Sequence, residues 1–143
     1  MGGRLLHWMD IATAIAAQRH CKRIVVTACV NNVAFEKPIP MGSIVTLEAK
    51  VSRAFSSSIE VFVDVWMEDR TSGEKSHCNQ AIYTFVAVDQ LGSPIQVPEV
   101  IPESEEENTR YDGALRRRQL SLILAGKMIP DDATELKALF MPK

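Results

Sequence analysis

An acidic residue inside an apolar run is where this sequence first offers chemistry. Asp10 stands between Met9 and Ile11, in a stretch from Leu5 to Arg19 made mostly of leucine, isoleucine, tryptophan and alanine. Taking a carboxylate out of water is costly unless it is paired or hydrogen-bonded. A chain that keeps one there either satisfies it locally, on a solvated stripe or through neighbouring backbone, or uses it as a base or nucleophile. Position alone leaves both readings open. Gly2 and Gly3 precede the run. They are a flexible lead-in, and they also let the free N–H groups of a helix start approach a ligand that develops negative charge.

Three further clusters carry polar chemistry. Ser56-Ser57-Ser58 offers hydroxyls that can serve amides or a phosphate, or simply solvate a turn. Arg116-Arg117-Arg118 concentrates positive charge that suits a phosphate, or a solvated helix face. The histidines His7, His20 and His77 have the spacing of neither a metal site nor a Ser-His-acid triad. Cys21, Cys29 and Cys78 are odd in number and lack the short paired spacings of zinc ligands, so reduced thiols of a cytosolic protein are expected. The expected site holds no metal and no tightly bound cofactor.

The elements that must position these groups follow from residue pattern. Leu5 to Arg19 has no proline and no internal glycine and is apolar around most of its circumference, which predicts an enclosed helix. From Ile24 the texture turns β-branched and alternating, over 24–30 and again over 44–51, predicting strands. Between them, Lys37-Pro38-Ile39-Pro40-Met41-Gly42 is a turn, because its prolines cannot donate to a ladder. A third strand is predicted from Ile59 to Glu68, with Ile59, Val61, Val63 and Val65 on one face and Glu60, Phe62, Asp64 and Trp66 on the other. A hairpin at 70–74 leads to a fourth, from Ser76 to Asp89. Beyond Pro98, Ser104 followed by Glu105, Glu106 and Glu107 starts a helix that ends near Gly126. Asp132 and Glu135 then stand at capping-box spacing before Leu136, Leu139 and Phe140, predicting a short last helix. One helix followed by antiparallel strands is an α+β order. Residues 1–102 are read as one domain and 103–143 as a C-terminal helical extension.

A chain of 143 residues with 46% apolar content fills one core. Its formal charge of -2 supplies no basic field, so neither nucleic acid nor an anionic membrane is expected as a partner. No stretch approaches the roughly 20 apolar residues of a membrane helix and no secretory leader opens the chain, so a cytoplasmic location is expected.

Several blocks in order carry more than any one of them: Gly2-Gly3-Arg4-Leu5-Leu6-His7-Trp8-Met9-Asp10, then Val25-Val26-Thr27-Ala28, then Phe35-Glu36-Lys37-Pro38-Ile39 with Gly42. They continue through Val65-Trp66-Met67-Glu68-Asp69, Thr84-Phe85-Val86-Ala87-Val88-Asp89, Gly92 and Pro94, and reach the tail at Arg110-Tyr111 and 116–118. In these blocks the sequence resembles the small acyl-CoA thioester hydrolases of the hotdog fold, of the bacterial YciA type and the cytosolic type of animals. The resemblance implies an antiparallel sheet wrapped around a long central helix, paired into dimers with shared active sites and assembled as trimers of dimers. It makes Asp10 the catalytic carboxylate, and it matches Thr27, Ala28 and Cys29, Ser56, Ser57 and Ser58, and an arginine among Arg116, Arg117 and Arg118 to contacts with CoA. Two departures stand out. Phe55 replaces a small or polar residue ahead of the serines, narrowing the pocket wall, and the family's leading strand and asparagine-containing loop are expected to be missing ahead of Gly2.

The reaction this implies is hydrolysis of a fatty acyl-CoA to a fatty acid and CoA. Asp10 serves as general base on water or as nucleophile, N–H groups at Gly2 and Gly3 hold the oxyanion, and Ser57 or Ser58 orients the water across the dimer interface. The alternative from another class is a non-catalytic acyl-CoA-binding module or sensor, although no DNA-reading helix-turn-helix is evident.

Overall fold

The computed structural model describes residues 2–139. In chain order the elements are α1 (Gly2–Cys21), β1 (Ile24–Phe35), β2 (Ile44–Ala54), β3 (Ser58–Glu68), β4 (Lys75–Val88), α2 (Glu105–Leu124) and α3 (Thr134–Ala138), with a 3-10 turn at Pro130–Asp132. They fall into two compact units, one ending at Val100 and the other beginning at Ile101.

In the first unit the four strands form one antiparallel sheet in the order β1-β4-β3-β2. Turn chemistry sets the register between β3 and β4. The Asp69 carboxylate accepts from the N–H groups of Thr71 (2.7 Å) and Ser72 (3.0 Å), and these bonds hold its pKa below the ordinary value. Gly73 then takes a positive φ of 71°, open to glycine at little cost. The predicted alternation of β3 is present: Ile59, Val61, Val63 and Val65 are all fully buried on one face. On β4 the matching inward row is Ala81, Tyr83, Phe85 and Ala87. Against these rows α1 lays every fourth residue, Leu5, Met9, Thr13, Ala17 and Cys21, all buried. Thr13 is satisfied within the helix, its hydroxyl donating to the Met9 carbonyl at 2.7 Å.

Four sequence expectations need correction. Gly2 and Gly3 do not precede the helix as a lead-in but form its first residues, since nothing in glycine forbids helical φ and ψ where tertiary packing favours them. The helix is not enclosed: Trp8, Ile11 and Ile15 remain 41%, 45% and 51% exposed, because a single sheet covers one side of a cylinder only. The first strand does not stop at Val30 but runs to Phe35 through an irregularity between Asn31 and Ala34, which hides the asparagines' continuation of the ladder from a propensity reading. Asp132 caps nothing. It closes the 3-10 turn, and the residue at the α3 N-cap is Ala133, without a side-chain bond. Phe140, assigned above to that helix, lies outside the described residues.

The second unit is built as its caps dictate. The Ser104 hydroxyl accepts from the N–H of Glu107 (3.1 Å), while the Glu107 carboxylate accepts from the N–H of Ser104 (3.3 Å). At the other end Gly126 takes φ 72°, and the N–H of Lys127 reaches back to the Leu122 carbonyl at 2.8 Å. The carboxamide of Gln119 on α2 accepts from the N–H of Leu136, tying α3 to it.

Because Ile59 sits with no exposure in the sheet's inward row, Ile59→Ala should cost roughly 2–5 kcal/mol. Urea unfolding should show this as a lower midpoint at unchanged slope, whereas a midpoint within error of the parent would place the core elsewhere.

Candidate active site

The backbone brings Asp10 to the margin of the packed seam. Residues of α1 advance by 100° each, so Asp10, next to the buried Met9, faces the β1 side and is half-buried. There it meets Thr27, whose hydroxyl Oγ1 donates to Asp10 Oδ1 at 3.2 Å. A bulge on β1 makes the meeting possible. The register steps from Thr27 opposite Phe85 to Cys29 opposite Thr84, leaving Ala28 as the extra residue. Thr27 and Val30 therefore both face the helix, which strict alternation would forbid.

A second polar group stands close by. Tyr83 is buried under α1, stacked on Phe85 with ring centroids 6.0 Å apart, and its hydroxyl approaches the Leu6 carbonyl at 3.5 Å. Burial pushes the Tyr83 phenol above its ordinary pKa, and the negative charge of Asp10 adds to the shift. The pair Asp10 and Thr27 thus has a neutral phenol beneath it. Sequence reasoning matched Thr27 to CoA and gave Tyr83 no part. Its only available signal was an aromatic hydroxyl in phase with the inward row.

The other expected site residues distribute as follows. Gly2 and Gly3 lie in the first turn of α1, whose leading N–H groups have no partner within the helix. Asp10 stands seven positions after Gly3, about 10 Å along the axis. A methyl group built on Gly3 would meet nothing within 4 Å, so the first turn is open to a ligand. Cys29 directs its thiol at the Asn31 side chain, 3.2 Å away. Ser56 and Ser57 lie in the β2–β3 turn and Ser58 opens β3, level with the start of β1 but across the sheet from it, and there the Ser57 carbonyl accepts from Ala87 and the Ser56 carbonyl from Val97. Ser58 pairs with Val86, which pairs on its other side with Val26, so two strand spacings, about 10 Å, separate that turn from β1. The serines and the Asp10–Thr27 pair therefore do not converge within one chain.

Arg116, Arg117 and Arg118 belong to α2 in the second unit, and consecutive positions there point in three directions. Arg117 donates to the Arg110 carbonyl at 2.6 Å. The histidines go to separate places. His20 meets the Pro98 carbonyl at 2.7 Å, and His77 lies on the opposite face of the sheet from α1, between Asp64 (3.0 Å) and Glu36 (3.8 Å). Among the described residues no group of three His, Cys, Asp or Glu could hold a metal ion.

Known proteins with the same features place this architecture. The family described as the thioesterase superfamily matches residues 1–74. The chain is 42% identical over 116 residues to the uncharacterized acyl-CoA thioester hydrolase YkhA of Bacillus subtilis, covering 81% of this chain and 67% of that one. Among solved structures, the acyl-CoA hydrolase of Staphylococcus aureus, in complex with butyryl-CoA, CoA and CoA disulfide, superposes with a TM-score of 0.80 at 37% identity, over 89% of this chain and 79% of that one. An apo hexameric acyl-CoA thioesterase superposes at 0.84 with 34% identity, over 87% of this chain and 80% of that one. The staphylococcal enzyme has also been solved with alanine replacing an aspartate and, separately, a threonine seventeen positions further on. The chain belongs to the thioesterase superfamily, among the acyl-CoA thioester hydrolases of the hotdog fold.

The electrostatic link between Asp10 and Tyr83 can be read directly. The folded chain favours the neutral phenol, so this contribution to stability is full below pH 10 and is lost as pH rises through the higher folded value. In an absorbance titration, Tyr83 of the parent should ionise above the ordinary tyrosine value of 10.0, and Asp10→Asn should bring its midpoint down. An unchanged midpoint would put the carboxylate out of electrostatic reach of the phenol.

Proposed function

We propose that this chain hydrolyses an acyl-CoA to the free acid and CoA, with Asp10 as the general base and Thr27 as the residue that positions it. The observation that carries the reading is the 3.2 Å contact of Thr27 Oγ1 with Asp10 Oδ1 at the edge of an otherwise apolar helix. It leaves the second carboxylate oxygen to take a proton. The aspartate and threonine replaced in the staphylococcal enzyme are separated by seventeen positions, as Asp10 and Thr27 are, which supports the pairing.

In this reading water is the attacking group. The N–H groups of the first turn supply the oxyanion site, about 10 Å along the axis from Asp10, and the backward tilt of the side chain recovers only part of that span. A base-to-water hydrogen bond, a near-attack separation, a carbonyl and an oxyanion hydrogen bond end to end reach roughly 10 Å. In the water mechanism Asp10 takes a proton as the hydroxide oxygen bonds to the carbonyl carbon. The oxyanion then collapses and the C–S bond breaks. CoA leaves as a thiolate, so no strong general acid is required.

The assembly we propose is a hexamer built as a trimer of dimers, in which Ser57 and Ser58 of one subunit approach Asp10 of the other and orient the water. Two features support it: β1 and β2 are sheet edges, and the uncovered side of α1 is apolar at Trp8, Ile11 and Ile15. The thiols of Cys21, Cys29 and Cys78 are free, which suits the cytoplasm.

Asp10→Asn should lower hydrolysis on the order of a hundredfold or more while CoA binding survives. Thr27→Val should lower kcat and Thr27→Ser should recover most of it, because only the hydroxyl is at stake. Thiol release against a series of acyl-CoA lengths measures both, and parental rates in Asp10→Asn would refute the mechanism. Shared sites have their own check. Chains carrying Asp10→Asn should regain activity when they exchange subunits with chains carrying Ser57→Ala and Ser58→Ala. Two dead variants that exchange, seen by sedimentation of tagged chains, without regaining activity would restrict the site to one subunit.

A further inference from the structure

Asn79 is the one side chain among the described residues whose buried polar atoms find no partner: neither Oδ1 nor Nδ2 makes a hydrogen bond. It is 1% exposed and lies on the helix-facing side of β4, in phase with Ala81, Tyr83, Phe85 and Ala87. A buried amide with both ends unpaired is unfavourable, and native chains rarely keep one unless water or a ligand completes it.

The sheet is shaped to aim it. Asn79 pairs with Val65 and His77 with Trp66, so Cys78 is an extra residue in β4. The bulge turns His77 to the outer face and keeps Asn79 inward. It is fastened from the residues that follow β1, where the N–H groups of Glu36 and Lys37 both approach the Cys78 carbonyl, at 3.2 and 3.4 Å.

Asn79 looks into a cleft of about 560 Å³ between the first turns of α1 and the turn that joins β1 to β2. Leu5 and Trp8 form one wall, Pro38 and Ile39 the other, and Val45 closes the β2 side. This cleft lies on the opposite flank of α1 from Thr27, and both flanks are reached from the helix N-terminus. A thioester carbonyl held at the first turn, with water delivered from the Asp10 flank, would have its acyl chain directed into this cleft. Most of its walls are hydrocarbon, which a plain alkyl chain would fill. The unpaired carboxamide is what a plain alkyl chain leaves unsatisfied.

We propose that Asn79 is a specificity-determining residue of the acyl pocket, and that the preferred acyl group carries a neutral oxygen, a hydroxyl or an oxo group, that reaches it. A hydroxyl can donate to Oδ1 and accept from Nδ2, satisfying both orphaned atoms, and an oxo group satisfies Nδ2. A site built to hydrogen-bond a substrate rejects the analogue that lacks the group, because its own polar atoms are then left unpaired. This inference rests on the hydrolase reading above and adds the substrate class.

The test compares acyl-CoA esters matched in length from four to ten carbons, with and without a hydroxyl or oxo group along the chain, as kcat/KM ratios. At one length and position the oxygen-bearing ester should be preferred at least tenfold. Asn79→Leu should remove that preference by lowering the rate on the oxygenated ester while the plain ester holds or gains, and Asn79→Ala provides the same comparison should leucine disturb the fold. The same pairs made as non-hydrolysable thioethers, titrated calorimetrically, should show the preference as affinity. Hydrolysis of all plain and oxygenated esters at equal efficiency would mean that a bound water alone satisfies Asn79, overturning this inference and leaving the hydrolase reading intact. Failure to hydrolyse any thioester would overturn both.

Discussion

The polar groups of the candidate site are placed by the seam between α1 and the sheet. Buried helix residues recur every four positions, about 6 Å, and inward strand residues every two, about 6.6 Å. The two repeats nearly match, so Leu5, Met9, Thr13, Ala17 and Cys21 can interlock with the Ile59–Val65 and Ala81–Ala87 rows along the helix length. Once that rotation is fixed, Asp10 has no freedom left. It must emerge on the β1 margin, as Trp8 must emerge on the other. A carboxylate at such a margin avoids full desolvation, and one hydroxyl, that of Thr27, is enough to orient it.

The seam alone would not assemble a site, because a regular sheet offers side chains at a fixed alternation. Two bulges break it. At Ala28 the extra residue lets Thr27 and Val30 share the helix side, and at Cys78 it sends His77 and Asn79 to opposite faces. The consequence for His77 is instructive. Set edge-on to Trp66 at 5.0 Å and bonded to Asp64, it is held on the outer face, where it links β4 to β3 and approaches Glu36. The whole sheet separates it from Asp10, so the chain's most catalytically versatile side chain type takes a structural part here.

How far the sequence discloses this depends on whether a feature is local. The alternation of β3 and the caps of α2 at Ser104 and Gly126 were legible, because period and capping chemistry act within a few residues. Asp10 stood out by its apolar neighbours, yet its bond to Thr27 crosses seventeen positions and depends on a bulge that no propensity announces. Asn79 could have been flagged by its phase with Ala81, Tyr83 and Phe85, but its lack of a partner is a fact of three dimensions. Asp132 misled for the converse reason. Its spacing to Glu135 fits a capping box, but a 3-10 turn starting at Pro130 consumes Asp132 first and moves the helix start past it. The enclosure of α1 was not legible because an apolar run does not say how much of its circumference one sheet can cover.

That last point joins stability to function. A helix with Trp8, Ile11 and Ile15 in water on one side and a packed core on the other is apolar beyond what its own sheet can cover. In the proposed assembly the uncovered side is buried by another subunit, and the same burial acts on Asp10, which lies on the adjacent stripe. In a margin open to bulk water, the proposed base and the first-turn N–H groups both act through water's high dielectric. With the margin closed, the effective dielectric falls, so that in the proposed mechanism the first-turn N–H groups act more strongly on the oxyanion and the base on the proton of its water. In that assembly the residues that look like surplus hydrophobicity in one chain are what keeps bulk water from the proposed pair, an aspartate and a threonine.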